Sequence, residues 1–348
     1  MAQHIIIHGF GIEGKAALPY FQDKFKSSHF TVIDRETHDI IGVQSFNESD
    51  GLTYLKTLET EDILFIRSPG VPPTNPIIEY LDHHNINHET ALSYWLSHDA
   101  PSKIITVSGS KGKSTTTALI SYLLAQNGED AFMAGNVGIT PFDKEFGNDA
   151  IAVIEASSFQ LFDCNYKSDL LVITSIYDTH TDWHGTMEAY CEAKLRPLLM
   201  NNDCKSLVSN LIQPFVKIPD TAHNTWLEDE LNNLELPETI PNGFKNNPLA
   251  LNLKTALLAI KISGFTDFNK LMSNIDVYLE SWTGLDHRME VISKAGGRIW
   301  VDDSLATIPE ASILALQQFP DKVIHLLLGG KFRGQSYESF FEYVGNNK

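Results

Sequence analysis

Residues 104–126 read IITVSGSKGKSTTTALISYLLAQ, and this stretch decides how the chain is interpreted. A short β-branched strand, a loop rich in glycine and lysine, and a helix follow one another in that order. In such an arrangement the loop amides, Lys113 and the positive end of the helix face one polyphosphate, and Ser114 can place its hydroxyl on Mg²⁺. The stretch therefore predicts a phosphate-binding loop.

This loop departs from the usual pattern G-x-x-x-x-G-K-[ST] at one position. Val107 stands five residues before Gly112, where the pattern has glycine, and Gly109 gives the tighter spacing G-x-x-G-K-S instead. The alternative interpretation is a glycine-rich turn that only caps a helix. The order of strand, loop and helix favours the phosphate role.

Composition and charge narrow the class of protein. The chain has 348 residues, enough for two or three domains, and its 26 Lys and Arg against 44 Asp and Glu give a net charge of −18. This balance argues against nucleic acid or an anionic membrane as the main partner. Cys164, Cys191 and Cys204 have no metal-binding spacing and fit reduced thiols. No signal-peptide or transmembrane pattern is present, so we expect a cytoplasmic protein without a membrane partner.

The N-terminal segment carries a second glycine motif. A strand at residues 4–8 leads into GFGIEG and a helix, and the next strand ends in Asp34 and Arg35. The spacing G-x-G-x-x-G with an acidic residue about twenty positions later is typical of dinucleotide sites, and the same turn can hold the diphosphate of another nucleotide. A strand at 62–67 ends in the turn SPGVP at 68–72, on the edge where doubly wound sheets bind ligands.

Polar side chains follow the strands of the central segment. The strand at 150–154 leads into Glu155, the strand at 170–174 leads toward His180, and the next helix carries Lys194. Apolar strands separated by helices predict a mostly parallel sheet covered on both faces. Because ligand sites form at the carboxyl edge of such sheets, we expect Glu155 and His180 beside the phosphate loop.

The last segment again looks like the start of a doubly wound unit. Strands are predicted at 298–301 and 322–328. The predicted domains are 1–98, 99–282 and 283–348. The third is shorter than the usual domain of ~100–150 residues, so we expect an incomplete C-terminal domain.

Taken together and in this order, the motifs resemble those of the Mur ligase family. They are GFGIEG (9–14), SPGVP (68–72), GSKGKST (109–115), GNVG (135–138), EASSFQL (155–161), HTDWHGT (180–186), EAKLR (192–196), GLDHRMEV (284–291), DDSLAT (302–307) and LLLGGKFRG (326–334). The SSFQL element, and HR with a following D-S-x-A-T, are closest to the member that adds D-glutamate. The resemblance implies a three-domain α/β fold: a Rossmann-like N-terminal domain for the UDP-sugar, a central P-loop ATPase domain with a mostly parallel sheet, and an incomplete Rossmann-like C-terminal domain.

The activity implied by the resemblance is ATP-dependent amide bond formation. D-glutamate would be added to UDP-N-acetylmuramoyl-L-alanine in peptidoglycan precursor synthesis. The substrate carboxylate would attack the γ-phosphate of ATP, and the amine of D-glutamate would attack the resulting acyl phosphate. The implied cofactors are ATP and Mg²⁺ at two sites, both substrates are small molecules, and a monomer is expected.

Site residues are also implied by the resemblance. ATP contacts are expected at Ser110, Lys111, Gly112, Lys113, Ser114, Thr115, Asn252, Arg288 and Asp303. Substrate contacts are expected at Gly11, Ile12, Arg35, Ser68, Asn136, Ser157, Thr307 and Lys331. Metal ligands are expected at Ser114, Glu155, His180 and Lys194, and the last three act with Lys113 in catalysis. Lys194 matches a lysine that is carbamylated in the family. A carbamate fits this position because a free ammonium would be repelled by the metal ions.

On residue type alone, plainer interpretations stay open. Glu155 can be a solvated carboxylate, His180 a member of a polar loop, and Lys194 a surface lysine. Arg288 can pair with a neighbouring carboxylate, and His287 is as readily structural as catalytic.

Two positions depart from the family pattern. Leu305 replaces the lysine of D-S-K-A-T, and Leu251 replaces the histidine before Asn252, although Lys331 and Arg333 supply nearby cations. The third segment also ends before the region that contacts D-glutamate in the family. The rival interpretations are a related ligase with another acceptor, a truncated or inactive binder of UDP-sugar and ATP, and, more distantly, a dinucleotide dehydrogenase.

Overall fold

A computed structural model describes residues 3–218, 223–245, 249–304, 306, 309–319, 322–330 and 336–346. The chain divides into two compact units. Unit 1 comprises residues 1–238 and 251–275, and unit 2 comprises residues 239–250 and 276–348. Thr307 and Lys331, two predicted substrate contacts, lie outside the described residues, as do Leu305 and Arg333.

The first sheet of unit 1 is formed by the N-terminal segment. Its elements are β1 (His4–His8), α1 (Ile12–Lys24), β2 (His29–Asp34), β3 (Gln44–Asn47), α2 (Glu48–Leu55), β4 (Ile63–Arg67), α3 (Pro76–His83), β5 (His88–Glu89) and α4 (Ala91–His98). The strands are all parallel, in the order β3-β2-β1-β4-β5. Ile5, Ile6 and Ile7 are buried in succession, as in a central strand covered on both faces.

The second sheet of unit 1 contains the phosphate-loop strand. The elements that follow α4 are β6 (Lys103–Ser108), α5 (Lys113–Gln126), β7 (Ala131–Gly135), β8 (Ile151–Glu155), α6 (Ser158–Leu161), β9 (Leu170–Ile173), α7 (Thr181–His184), α8 (Met187–Met200), β10 (Lys205–Val208), β11 (Asn224–Trp226), α9 (Leu227–Asn233), α10 (Leu249–Ser263) and α11 (Phe268–Ser273). The next helix, α12 (Ile275–Glu280), lies almost entirely in unit 2. The parallel order β11-β10-β9-β6-β8-β7 places β6 between β8 and β9. The segments after these three strands therefore emerge side by side.

Unit 2 has a different local architecture. Its strands β12 (Glu290–Ala295) and β13 (Arg298–Asp302) form an antiparallel hairpin, and α13 (Pro309–Gln317) and α14 (Glu338–Asn346) follow. The strand predicted at 322–328 is wrong, because those residues form no strand. Val323 and Leu327 are 90% and 91% exposed. A strand needs a neighbour to pair its backbone, and none of the described strands pairs with this segment.

Other predicted elements have mixed outcomes. The strands at 4–8 and 62–67 and the helix after the phosphate loop are present, with ends shifted by a residue or two. The helical segment after α10 is interrupted at Asn274, the C-cap of α11. The prediction of a mostly parallel α/β fold is confirmed. Among the described helices, none has the length and apolar character that crossing a bilayer requires.

Candidate active site

The phosphate loop, residues 109–115, connects β6 to α5 at the carboxyl edge of the second sheet. Lys113 folds back over this loop, and its Nζ donates to the carbonyl oxygens of Gly109 at 3.0 Å and Ser110 at 3.3 Å. Ser114 is buried in the first turn of α5. The loop thus combines a helix N-terminus with a cation, the arrangement that binds phosphate in proteins.

The segment after β9 holds the phosphate loop in shape. The backbone amide of Ser110 donates to the Ser175 carbonyl at 2.8 Å, and the amide of Lys111 donates to Ser175 Oγ at 2.9 Å. Thr174 Oγ1 donates to the Lys111 carbonyl at 2.5 Å, and the hydroxyls of Ser110 and Tyr190 lie 2.8 Å apart. The loop is therefore fixed by side chains that lie far away in sequence.

Gly109 cannot be replaced without strain. Its φ is +141°, and a Cβ built there would lie 2.1 Å from Thr174 Oγ1. We expect Gly109→Ala to lower the free energy of unfolding by about 1–3 kcal/mol and to reduce turnover, measured by urea unfolding and by phosphate release. Gly243→Ala is the matched control, because a Cβ there meets nothing within 4 Å. Equal stability of the two variants would contradict the prediction.

Glu155 presents one unused oxygen at the same edge. Its side chain is buried at the end of β8, where Oε1 accepts a hydrogen bond from Asn136 Nδ2 at 2.9 Å. Within the described part of the chain, the buried Oε2 has no hydrogen-bond partner. An unpartnered buried carboxylate oxygen beside a phosphate loop fits a ligand of a hard cation such as Mg²⁺.

Lys194 is buried rather than solvated, and only 2% of it is exposed. Its Nζ donates to the carbonyl of Gly109 at 3.0 Å and to Ser108 Oγ at 3.4 Å, and it lies 4.5 Å from the centre of the Tyr190 ring. Burial lowers the pKa of Lys194 well below its usual value, and the charge of Lys113 lowers it further. The neutral amine favoured by this environment is the form that reacts with carbon dioxide.

His180 lies in the turn before α7 with a φ of +60°. Its ring contacts Phe159, with the ring centres 4.9 Å apart. Partial burial lowers the pKa of His180, and the charges of Lys194 and Lys113 lower it further. The neighbouring His184 has its pKa lowered to about 4, chiefly by burial. Neutral imidazoles keep a ring nitrogen lone pair available to a metal ion.

Two further predicted contacts lie in unit 1. A Cβ built on Gly112 would lie 2.8 Å from Asn252 Oδ1, so Asn252 lies against the phosphate loop. Ser157 is the N-cap of α6, and its hydroxyl accepts from the Gln160 amide while Gln160 bonds back to the Ser157 amide. Ser157 therefore starts a helix at the carboxyl end of β8, next to Glu155.

The predicted UDP-sugar contacts lie on the first sheet. Gly9 has a φ of +89°, and a Cβ there would lie 2.5 Å from Ser68 Cβ, so the GFGIEG and SPGVP turns touch. Gly11 is the N-cap of α1 without a side-chain cap, and Ile12 is 83% exposed beside it. Arg35 is exposed at the end of β2. The edge therefore offers an uncapped helix N-terminus, an exposed apolar side chain and a cation.

The predicted contacts of unit 2 lie around its hairpin. Asp303 Oδ1 accepts from the Met289 amide at 3.1 Å, and partial burial raises the pKa of Asp303. Arg288 directly precedes Met289. His287 Nδ1 lies 2.7 Å from Asp302 Oδ2, so His287 has a structural partner.

Glu13 is a buried carboxyl beside the predicted UDP-sugar contacts that the sequence did not predict. It follows Ile12 in the glycine turn, and its Oε2 accepts from Gln160 Nε2 at 3.0 Å. Burial raises the pKa of Glu13 to about 7, while the charge of Arg67 lowers it and that of Asp163 raises it. An acidic residue in the first turn of a helix is usually solvated, so the sequence carried no signal of this burial.

The raised pKa of Glu13 predicts a pH-dependent stability. The neutral carboxyl stabilises the folded state below its ordinary pKa of 4.5, and this contribution is lost as the pH rises toward 7. We expect Glu13→Gln to remove at most about 3 kcal/mol of pH dependence between pH 4.5 and 7, measured by urea unfolding. Glu36→Gln, at an exposed position, is the control. Parallel stability curves for wild type and Glu13→Gln would contradict this assignment.

Comparison with known proteins identifies relatives of this chain in sequence and in fold. The Mur ligase middle domain model matches residues 107–227. The UDP-N-acetylmuramoylalanine–D-glutamate ligase of Thermotoga petrophila is 31% identical over 350 residues, covering 96% of this chain and 79% of that protein. The protein of the same name from Campylobacter jejuni is 30% identical over 349 residues, covering 98% and 80%. Among solved structures, UDP-N-acetylmuramate–alanine ligase of Thermotoga maritima has a TM-score of 0.51 at 17% identity, covering 90% of this chain and 76% of that one.

The two parallel sheets, the phosphate loop and these matches define the class. The chain belongs to the Mur ligase family. Within that family, the two relatives compared by sequence both carry the name UDP-N-acetylmuramoylalanine–D-glutamate ligase.

Proposed function

We propose that the chain is an ATP-dependent ligase that joins D-glutamate to UDP-N-acetylmuramoyl-L-alanine in peptidoglycan precursor synthesis. The observation that carries the proposal is the meeting of Lys113, Glu155, His180 and Lys194 around one phosphate loop. The relatives of the same name, which match nearly the whole chain, support the choice of substrates.

The phosphate loop would bind ATP. The amides of residues 112–115 and the ammonium of Lys113 would neutralise the β- and γ-phosphates, because both lie at the carboxyl edge of the sheet, while Ser110 and Lys111 complete the loop through their bonds to Ser175. The carboxylate of the UDP-sugar substrate would then displace ADP from the γ-phosphorus and form an acyl phosphate. The amine of D-glutamate would attack the acyl carbon and release inorganic phosphate.

Divalent cations would be held by oxygen and nitrogen atoms at this edge. Glu155 Oε2 and Ser114 Oγ suit a first Mg²⁺, and the neutral ring of His180 suits a second. When bound, the cations supply charge neutralisation to the crowded phosphate oxygens. Lys194 fits this set only after its neutral amine has added carbon dioxide, since the carbamate is an anionic oxygen ligand.

The first sheet would bind the UDP-sugar. The uncapped N-terminus of α1 at Gly11 and Ile12, together with Arg35 and Ser68, offers donors and positive charge for a diphosphate. The substrate would extend toward Asn136 and Ser157, which lie next to Glu155. This assignment corresponds to a UDP-sugar domain at 1–98, an ATP domain at 99–282 and an amino-acid domain at 283–348.

The remaining assignments stay predictions. Arg288 and Asp303 are proposed ATP contacts, and Thr307 and Lys331 are proposed substrate contacts. The protein is proposed to act as a monomer in the cytoplasm, with no nucleic acid or membrane partner.

The test is phosphate release from ATP and Mg²⁺ in the presence of UDP-N-acetylmuramoyl-L-alanine and D-glutamate, with each component omitted in turn. The proposal predicts release only when all are present. Release with a different amino acid would indicate a related ligase with another acceptor. Binding of the UDP-sugar without release under any condition would indicate an inactive binder.

A further inference from the structure

Arg67 is a fully buried charged side chain at a junction within unit 1. It ends β4 of the first sheet, opposite His8 of β1, and its side chain is 1% exposed. Arginine is rarely buried to this degree unless every donor has a partner. Arg67 is also the one charged residue of β4, whose other residues are all apolar.

All three nitrogens of the Arg67 guanidinium donate hydrogen bonds. Nε and Nη2 contact the two carboxylate oxygens of Asp163 at 2.7 and 2.9 Å, which is the bidentate fork. Nη2 also donates to the Phe159 carbonyl at 3.0 Å, and Nη1 donates to the Val71 carbonyl at 2.9 Å. His88 Nδ1 lies 3.3 Å from Oδ2 of the same carboxylate.

These partners belong to different parts of the proposed site. Val71 lies in the SPGVP turn, which we assign to the UDP-sugar. Phe159 lies in α6, whose N-cap is Ser157, and its ring contacts His180. The Arg67 guanidinium also lies 5.8 Å from the centre of the ring of Trp183, in helix α7 after His180. The Arg67 guanidinium therefore contacts both the SPGVP turn of the proposed UDP-sugar site and the backbone of α6, which follows the proposed metal ligand Glu155.

A second contact joins the same two parts. Gln160 of α6 donates to Glu13 in the GFGIEG turn at 3.0 Å. Both turns of the proposed UDP-sugar site are thus tied to α6, one through Arg67 and one through Glu13. The short helix α6 is the common support.

Stability alone does not explain such a pair. Replacing a buried ion pair by apolar residues of similar volume is often neutral or stabilising, whereas removing one partner is strongly destabilising. A planar fork with additional backbone bonds instead fixes orientation. We propose that Arg67 and Asp163 form a positioning clamp that sets the UDP-sugar turns relative to Glu155 and His180, the proposed metal ligands that precede α6 and α7; this inference rests on the proposed ligase function.

The chemistry explains why such a clamp is needed. The carboxylate of the UDP-sugar must meet the γ-phosphorus of ATP, and the two substrates are held by different sheets. Displacement of one reactant by about 1 Å can lower a rate by about 10²-fold. Arg67 and Asp163 touch neither reactant in this scheme and act by holding the elements that do.

The experiment compares three variants with wild type. Arg67→Lys keeps the charge but loses the fork, Asp163→Asn keeps the shape but loses the charge, and Arg67→Met with Asp163→Leu replaces the pair by apolar side chains. Lys24→Met is the control, because it removes a different ion pair, with Asp99, outside the proposed site. kcat, the KM values of UDP-sugar and ATP, UDP-sugar affinity by calorimetry, and Tm are measured for each.

The clamp predicts a separation of activity from stability. Arg67→Lys should lower kcat by about 10²-fold and weaken UDP-sugar binding by about tenfold, with little change in the KM of ATP. The apolar double variant should regain the wild-type Tm without regaining kcat, whereas Lys24→Met should keep kcat.

Two results would overturn the clamp: recovery of kcat together with Tm in the double variant, or wild-type kcat in Arg67→Lys. Failure of the ligase function would look different. Wild type itself would then release no phosphate, whether or not it binds the UDP-sugar.

Discussion

Lys113→Ala is expected to lower turnover by about 10³-fold or more while UDP-sugar binding stays near the wild-type value. The Lys113 ammonium lies within the phosphate loop, 3.0 Å from the Gly109 carbonyl, where it would meet the transferred phosphate. The proposed contacts to the uridine diphosphate, Gly11, Ile12 and Arg35, lie on the other sheet. Phosphate release and calorimetric titration with the UDP-sugar measure the two effects separately.

The control for this change is Lys103→Ala. Lys103 begins β6, the strand that leads into the phosphate loop, and therefore lies at the opposite edge of the sheet from that loop. Its Nζ lies 3.4 Å from the Asp149 carbonyl. We expect this variant to keep wild-type turnover. Equal loss of turnover and of UDP-sugar affinity in Lys113→Ala would count against two separate sites.

Lys194→Arg is expected to lower turnover by at least about 10²-fold although charge and length are nearly kept. Burial and the charge of Lys113 favour the neutral amine of Lys194, which can add carbon dioxide to give a carbamate and one proton. A guanidinium stays charged at every accessible pH and cannot supply that anion. Initial rates in carbon dioxide-depleted buffer, before and after adding bicarbonate, provide the measurement.

Wild type should lose activity on depletion and regain it with bicarbonate, and Lys194→Arg should respond to neither. Lys261→Arg, at an exposed position of α10, controls for the substitution itself. A wild-type rate that does not depend on carbon dioxide would exclude the carbamate, and full activity of Lys194→Arg would exclude any special role of Lys194.

Local pattern was enough to predict the elements that carry the phosphate loop. The β-branched run before Gly109 and the helix after Lys113 are encoded within some twenty residues, so strand, loop and helix follow from periodicity and glycine chemistry. The placement of Glu155 at a strand end followed from the same reasoning. These features depend on near neighbours in sequence.

Burial of Lys194 could not be predicted in this way. A lysine on a helix is ordinarily solvated, and its burial here depends on Tyr190 and on the end of β6, which meet only in the folded chain. Arg67 gave a weak signal, as a charged residue that closes an apolar strand. Its partner Asp163 is 96 residues away, beyond any local pattern.

The strand predicted at 322–328 is wrong because strand formation also depends on residues far away in sequence. The segment is apolar enough to be a strand, but pairing decides whether a strand forms, and sequence pattern does not supply a partner. Conversely, β3 was missed because its four residues are only partly apolar and are held by parallel pairing with β2.

The position of β6 between β8 and β9 also affects how the chain folds while it is being synthesised. The amide of Lys111 is held by Ser175, which lies 64 residues later in the chain. At about 5–20 residues per second on a ribosome, that is roughly 3–13 s during which β6 has been synthesised but lacks its neighbours. An apolar strand with open edges is prone to pairing with other chains, so β6 is exposed to such pairing during this interval.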